Sequence, residues 1–254
     1  MNRKEDYIAV FDSGVGGISV LKQLIRLMPG EKFLYFGDSA NAPYGTRPRQ
    51  EVSHLALSAA DRLMTRGLKA IVVACNTATA AAISDLREKY PHMIVVGIEP
   101  AVKPAAERFP GGTVGVLATP VTLSEEKFIH LAESCSDRCT VVKLPAPGLA
   151  EIVEHGKADS EAAEALLRPI LDPWAGKLDA LVLGCTHYPF AIASIRRILG
   201  ENIPLLDGGE GTARETRRRL EAADLLENGR GEILWENSLE DPEMLVLSKK
   251  LMEL

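Results

Sequence analysis

The sequence predicts an α/β protein built on parallel β-sheets. Short apolar runs rich in Val, Ile and Leu alternate with stretches of helical periodicity along most of its 254 residues. Strands that are apolar on both faces and separated by helices are typical of βαβ units, whose parallel sheets are covered on both sides. Eight such strands are compatible with one closed barrel or with two open sheets.

The predicted elements alternate in type. The predicted strands cover residues 7–11, 33–36, 70–74, 94–97, 113–117, 140–144, 180–183 and 203–206. The predicted helices between and after them cover residues 18–28, 49–65, 77–90, 123–134, 162–171, 190–199 and 212–222.

Two features favour two sheets over one barrel. Glu99-Pro100 and Gly111-Gly112 interrupt the chain near its middle, as turn residues do between domains. The halves also echo one another, because IVVACNT at residues 71–77 resembles LVLGCTH at 181–187, and residues 8–12 resemble 114–118. The sequence therefore predicts two doubly wound parallel-sheet domains related by pseudo-two-fold symmetry, with equivalent strand ends facing each other across a cleft.

Composition argues against several classes of partner. A net charge of -6 gives no electrostatic reason to bind nucleic acid or an anionic membrane. No apolar run approaches the roughly 20 residues that span a bilayer, and the charged N-terminus, MNRKED, does not resemble a secretory signal. A cytoplasmic location with reduced thiols is therefore expected.

Two clusters along the chain are expected to be incidental. Arg214, Arg217, Arg218 and Arg219 are predicted to form a solvated helix face. Cys135 and Cys139 lack a second cysteine pair, so a zinc site is not predicted.

Ligands of open α/β sheets bind beyond the carboxyl ends of the strands, which directs attention to polar residues at those points. The first strand leads into DSGVGG at residues 12–17, whose glycines would let the backbone approach a ligand. The spacing does not match a dinucleotide fingerprint, and a carboxylate-binding loop fits better than a nucleotide or phosphate module. A plain tight turn is the structural alternative. The long polar loop at 37–46 follows the second strand.

Two cysteines stand in matching positions, each directly after a buried strand. Cys75 opens CNTATA and Cys185 opens CTHYP. A helix N-terminus is expected to give such a thiol thiolate character by lowering its pKa. Cys185 with His187 could begin the triad of a thiol hydrolase, but that reading leaves Cys75 unexplained. Inversion at an amino-acid α-carbon needs a base on one face and an acid on the other, which two similar thiols satisfy.

The same segments resemble the aspartate/glutamate racemase superfamily. The similarity runs in family order through FDSGVGGISVL, YFGDSANAPYGTRP, VVACNTATA, VGIEPAVKPA, VGVLATPVTL, LVLGCTHYPF and LLDGG. It extends from about residue 8 to residue 216, and DPEMLVLSKKL resembles the C-terminal helix of the family.

The resemblance implies a role for each matching residue. It makes Cys75 and Cys185 the two acid/base residues, with Asp12 assisting Cys75 and His187 assisting Cys185. Asp38 would lie nearby and Glu154 would orient His187, although LPAPGL at 144–149 departs from the family pattern and leaves Glu151 as an alternative. The remaining residues would hold the amino and carboxylate groups of the substrate together with Asp12 and His187: Ser13, Tyr44, Gly45, Asn76, Thr77 and Thr186.

The resemblance also implies domain boundaries and an activity. Residues 1–100 with 208–254 would form a discontinuous first domain, and 101–207 the second. The DSGVGG and PYG loops are more similar to the enzymes that act on glutamate than to aspartate racemases, which are the alternative. We therefore expect a homodimeric isomerase that interconverts L- and D-glutamate for peptidoglycan synthesis. No lysine lies in a pyridoxal-phosphate context and no cluster has metal-ligand spacing, so neither cofactor nor metal is expected.

Overall fold

The computed structural model, which describes residues 3–254, contains two parallel sheets. The first sheet has the strand order β4-β3-β1-β2-β9 and the second has the order β6-β5-β7-β8. The strands are β1 (Tyr7–Asp12), β2 (Lys32–Gly37), β3 (Leu68–Val73), β4 (Ile94–Gly97), β5 (Thr113–Ala118), β6 (Thr140–Pro145), β7 (Ala180–Leu183), β8 (Leu205–Asp207) and β9 (Glu232–Asn237).

Eleven α-helices of the described chain surround the sheets. They are α1 (Ile18–Leu27), α2 (Arg49–Leu63), α3 (Asn76–Lys89), α4 (Val102–Arg108), α5 (Pro120–Ser124), α6 (Glu126–Glu133), α7 (Leu149–Glu154), α8 (Glu161–Leu171), α9 (Ile192–Leu199), α10 (Gly209–Ala222) and α11 (Pro242–Glu253).

The two sheets repeat one topology, which confirms the predicted pair of doubly wound sheets. In the first sheet β1 pairs with β2 and β3, and β3 pairs with β4. In the second sheet β5 pairs with β6 and β7, and β7 pairs with β8. The orders 4-3-1-2 and 8-7-5-6 are therefore equivalent. The similar segments 8–12 and 114–118 lie on equivalent strands, and so do 71–77 and 181–187. We infer that the domain boundaries lie near residues 100 and 208, where the chain passes between the sheets.

The central strands are almost entirely apolar because each sheet is covered on both faces. Along β1, Ile8 and Val10 pack in a core with α1 and α10, whereas Ala9 and Phe11 pack on the opposite face with α2 and α3. The second sheet is arranged in the same way between α8 and α9 on one side and α4 and α6 on the other. Core burial on both faces is the reason for the continuous apolar runs.

Four predictions of local structure were wrong. The helix predicted over 123–134 is two helices, because the chain turns to extended backbone at Glu125 between α5 and α6. Thr119 caps α5 by accepting from the N–H of Thr122, and Pro120 follows at the first turn, so that helix starts early. The helix predicted from residue 190 begins at Ile192 after a 3₁₀ turn. The sequence prediction also missed the short helix α4 and strand β9, which is a half-exposed edge strand with charged residues.

The incidental clusters behave as expected. The four arginines of α10 form ion pairs with glutamates three or four residues away on the exposed helix face. Cys135 and Cys139 are free, buried cysteines packed in the core beside β5. Within residues 3–254 no helix is both long and apolar enough to cross a membrane. Met1 and Asn2 of the charged N-terminal segment lie outside the described residues.

Candidate active site

Both sheets turn the carboxyl ends of their strands toward one narrow cavity of about 30 Å³. Among the residues predicted for the site, those lining the cavity are Ser13, Tyr44, Gly45, Cys75, Asn76, Thr77, Glu154, Cys185, Thr186 and His187. Asp12 and Asp38 are buried behind this lining.

Cys75 caps the N-terminus of α3 at the end of β3. Its Sγ accepts from the N–H of Ala78 at 3.4 Å and lies 3.5 Å from Oγ of Ser13. Burial and the charge of Asp12 raise the pKa of Cys75 to about 12, although the contacts with Ala78 and Ser13 act in the opposite direction. The expectation that the helix N-terminus would lower this pKa was therefore wrong, because desolvation outweighs the helix contribution. Cys75 holds a proton at neutral pH.

Cys185 belongs to a chain of three side chains from the second sheet. Its Sγ lies 3.7 Å from Nδ1 of His187, and Nε2 of His187 lies 2.5 Å from Oε1 of Glu154. Burial lowers the pKa of His187, but hydrogen bonds and charge from Cys185 and Glu154 outweigh it and raise the pKa well above the ordinary value. Of the two carboxylates considered for this position, Glu154 contacts His187, whereas Glu151 lies along the cavity wall.

Asp12 links the two halves of the site. Its Oδ1 accepts from the N–H of Gly14 at 3.0 Å, and its Oδ2 accepts from the hydroxyl of Thr186 at 2.9 Å. Burial raises the pKa of this carboxyl, and the nearby His187 and the Thr186 hydroxyl partly offset that rise. Asp12 therefore acts on Cys75 through its charge, and its hydrogen bonds position Thr186.

Asp38 reaches the cavity through Tyr44. The hydroxyl of Tyr44 donates to Oδ2 of Asp38 at 2.6 Å, and Nδ2 of Asn41 donates to the same carboxylate. Burial and the contact with Asp38 raise the pKa of Tyr44, so this phenol stays protonated. Asp38 therefore orients a cavity-lining side chain.

The sequence prediction missed Thr119, which lines the cavity, and its hydrogen-bond partner Thr122. Thr119 and Thr122 lie with Thr77 in a buried group of hydroxyls whose oxygens are 3.0–3.3 Å apart, so the group joins α3 of the first half to α5 of the second. Thr119 directly follows β5, and the strand-end rule that selected Cys75 and Cys185 would have selected it as well.

The glycines of the first loop (residues 12–17) make room for side chains of the opposite half of the chain. A Cβ on Gly14 would lie 1.9 Å from Oε1 of Glu154, and a Cβ on Gly16 would lie 2.4 Å from Nδ1 of His187. These glycines therefore have a steric role toward the protein itself, and their predicted approach to a ligand stays a prediction. In the part of the chain that the structure describes, no group of three or more His, Cys, Asp or Glu residues is arranged to hold a metal ion.

Comparison with known proteins agrees with this architecture. Residues 12–216 match the model of the Asp/Glu/Hydantoin racemase family. The chain belongs to that family. A glutamate racemase of Clostridium acetobutylicum is 46% identical, with both chains covered completely, and one of Clostridium perfringens is 45% identical over 97% of this chain and 96% of its own.

Solved structures are similar over nearly the whole chain. The glutamate racemase of Thermus thermophilus is 40% identical with a TM-score of 0.82, covering 98% of this chain and 94% of its own. The Escherichia coli glutamate racemase, solved with L-glutamate and an activator, is 30% identical with a TM-score of 0.85, covering 98% and 95%. An aspartate racemase of Picrophilus torridus, 16% identical with a TM-score of 0.58 over 86% and 94%, shares the fold.

Proposed function

We propose that this chain is a glutamate racemase in which Cys75 and Cys185 exchange protons with opposite faces of the α-carbon. The observation that carries the proposal is the pairing of two buried cysteines, one from each half, on a single cavity. The relatives named glutamate racemase, which match the full chain at 45–46% identity, support the choice of substrate.

The reaction begins from a protonated Cys75 and a Cys185 whose own proton has passed to Nδ1 of His187. When L-glutamate is bound, the sulfur of Cys185 takes the α-proton as the C–H bond breaks. Cys75 then breaks its S–H bond and delivers that proton to the opposite face, which gives D-glutamate. With D-glutamate the roles reverse, and exchange with solvent restores the starting protonation.

The cavity offers groups for each polar part of an amino acid. Within residues 3–254 the buried Oδ1 of Asn76 has no hydrogen-bond partner, so it is available to accept from the substrate ammonium. The N-terminus of α3 and the hydroxyls of Ser13 and Thr77 supply donors for carboxylates, whereas the hydroxyl of Thr186 already donates to Asp12. Tyr44 and Gly45 also line this cavity.

Substrate preference is the first test. The purified protein, dialysed against a chelator and supplied with no cofactor, is expected to racemise L-glutamate, because thiols and their partners can perform both proton transfers. The loss of optical activity is followed with L-glutamate and with L-aspartate. L-Aspartate, which is one methylene shorter, is expected to react at least about 10-fold more slowly, since a missing methylene costs roughly 1–3 kcal/mol of transition-state binding. A preference for aspartate would contradict the substrate assignment, and unchanged optical activity with both amino acids would contradict the racemase.

Solvent isotope incorporation is the second test. Two separate thiols deliver a proton different from the one removed, so a reaction started from L-glutamate in D₂O should place deuterium in D-glutamate from the first turnovers. The remaining L-glutamate should stay almost unlabelled, and the reaction from D-glutamate should give the mirror-image pattern. Early labelling of both enantiomers, measured by NMR after chiral separation, would instead indicate a single base.

The proposed activity suggests a cellular role. D-Glutamate formed in this way would be supplied to peptidoglycan synthesis in the cytoplasm, where thiols stay reduced. All four cysteines of the chain are free, as the chemistry requires. We propose in addition that the enzyme acts as a homodimer.

A further inference from the structure

We propose that Tyr35 is a positioning residue that fixes Glu154, and through it His187 and Cys185, by holding the peptide between Gly14 and Val15. The effect of Tyr35 on catalysis rests on the proposed function. The contacts themselves join β2 of the first half to α7 of the second.

One carboxylate oxygen of Glu154 contacts both Val15 and His187. Oε1 accepts from the backbone N–H of Val15 at 2.7 Å and lies 2.5 Å from Nε2 of His187. The place of the Val15 N–H therefore determines where this oxygen meets the imidazole. Glu154 belongs to the second half and Val15 to the first, so this contact is made only when the two halves are together.

Tyr35 binds the other side of the same peptide unit. The hydroxyl of Tyr35 donates to the carbonyl oxygen of Gly14 at 2.7 Å, in the buried interior. The carbonyl of Gly14 and the N–H of Val15 belong to one planar trans peptide and point in opposite directions. By binding the carbonyl oxygen of Gly14, Tyr35 fixes the orientation of the peptide whose N–H donates to Glu154. Hydrogen bonds linked in this way also strengthen one another.

The surroundings pack closely against this peptide. Glu154 sits against Gly14 with no room for a Cβ, and a Cβ on Gly37 would lie 2.5 Å from the carbonyl oxygen of Gly14. Tyr35 itself is 1% exposed and packs against Trp235 of β9, with ring centroids 5.5 Å apart. Burial and the charges of Asp12, Glu154 and Cys75 raise its pKa, so the hydroxyl keeps the proton it donates.

The decisive variant is Tyr35→Phe, which keeps the buried ring and removes only the hydroxyl. We expect kcat/KM for glutamate to fall about 3- to 10-fold, the range that follows from losing one hydrogen bond. Tyr90→Phe is the matched control, because it removes a hydroxyl that binds Asp61 away from the cavity, and it should keep the parent activity. Unchanged kcat/KM in Tyr35→Phe would overturn the proposal.

A double-mutant cycle separates positioning from general support of the fold. In a Glu154→Ala background Tyr35 has no carboxylate to position, so adding Tyr35→Phe should cost no further activity. If the two losses multiply, Tyr35 acts independently of Glu154 and the proposal is wrong.

A second readout does not depend on turnover. The imidazole of His187, faced by Glu154, Cys185 and Asp12, is titrated by ¹⁵N NMR in the parent protein and in Tyr35→Phe. We expect the pKa of His187 to move down toward its ordinary value in the variant, because its hydrogen bond to Glu154 is weakened. If the parent fails to racemise glutamate, the proposed function fails, yet this titration still decides the positioning: an unshifted His187 would overturn it.

Discussion

Cys75→Ala is expected to lower kcat/KM by about 10²–10⁴-fold for both enantiomers, which is the typical contribution of one positioned proton transfer. Burial and Asp12 raise the pKa of Cys75 to about 12, which is consistent with its proposed role as the proton donor to L-glutamate. Alanine removes that donor and, in the reverse direction, the base. The enantiomers have equal free energies, and kcat/KM must therefore fall equally for both.

Polarimetry and chiral chromatography would measure this loss. Cys139→Ala is the matched control, since it also removes a buried, free thiol but from the core beside β5, and it should keep the parent rate. A Cys75→Ala protein that retains a substantial fraction of the parent kcat/KM would show that Cys75 is only a small buried side chain. Cys185→Ala should give a comparable loss for the complementary reason.

The sequence predicts best those strands that are packed in the core on both faces. The central strands are recognisable because they lie between two helical layers. The edge strand β9 alternates exposed Glu232 and Leu234 with half-buried residues, and no local pattern in the sequence predicts its pairing with β2.

The two cysteines proposed as acid and base could be selected from the sequence because each follows the end of a strand. Their electrostatic surroundings could not be predicted in this way. The dipole of α3 at Cys75 can be read from the sequence, whereas the opposing desolvation and the charge of Asp12 depend on tertiary packing. Likewise, Glu154 and His187 are 33 positions apart, and their contact follows from how α7 packs against the 3₁₀ turn that follows His187.

The role of the first loop also depends on tertiary packing that the sequence does not show. Its glycines mark a functional loop in the sequence, but their partners come from the opposite half. The first half supplies Gly14, Gly16 and the Val15 N–H, and the second supplies Glu154, Thr186 and His187. The site is thus complete only when the halves meet.

Gly16→Ala is therefore expected to reduce kcat/KM by roughly 10²-fold, the cost of misplacing a catalytic group by about 1 Å. The added Cβ would lie 2.4 Å from Nδ1 of His187 and 2.7 Å from Oγ1 of Thr186. His187 cannot retreat without breaking its contact with Glu154, so either the imidazole leaves Cys185 or the two halves stay apart.

Gly211→Ala provides the matched control for this substitution. A Cβ at Gly211 on the exposed face of α10 meets nothing within 4 Å, so activity should be unchanged and stability should rise by roughly 0.5–1 kcal/mol. Steady-state kinetics and thermal unfolding of both variants separate the two effects, since a folded Gly16→Ala protein with low kcat/KM supports the steric role. Parent-like kinetics in Gly16→Ala would mean that the imidazole can shift freely, and the contact between the first loop and His187 would then have no part in catalysis.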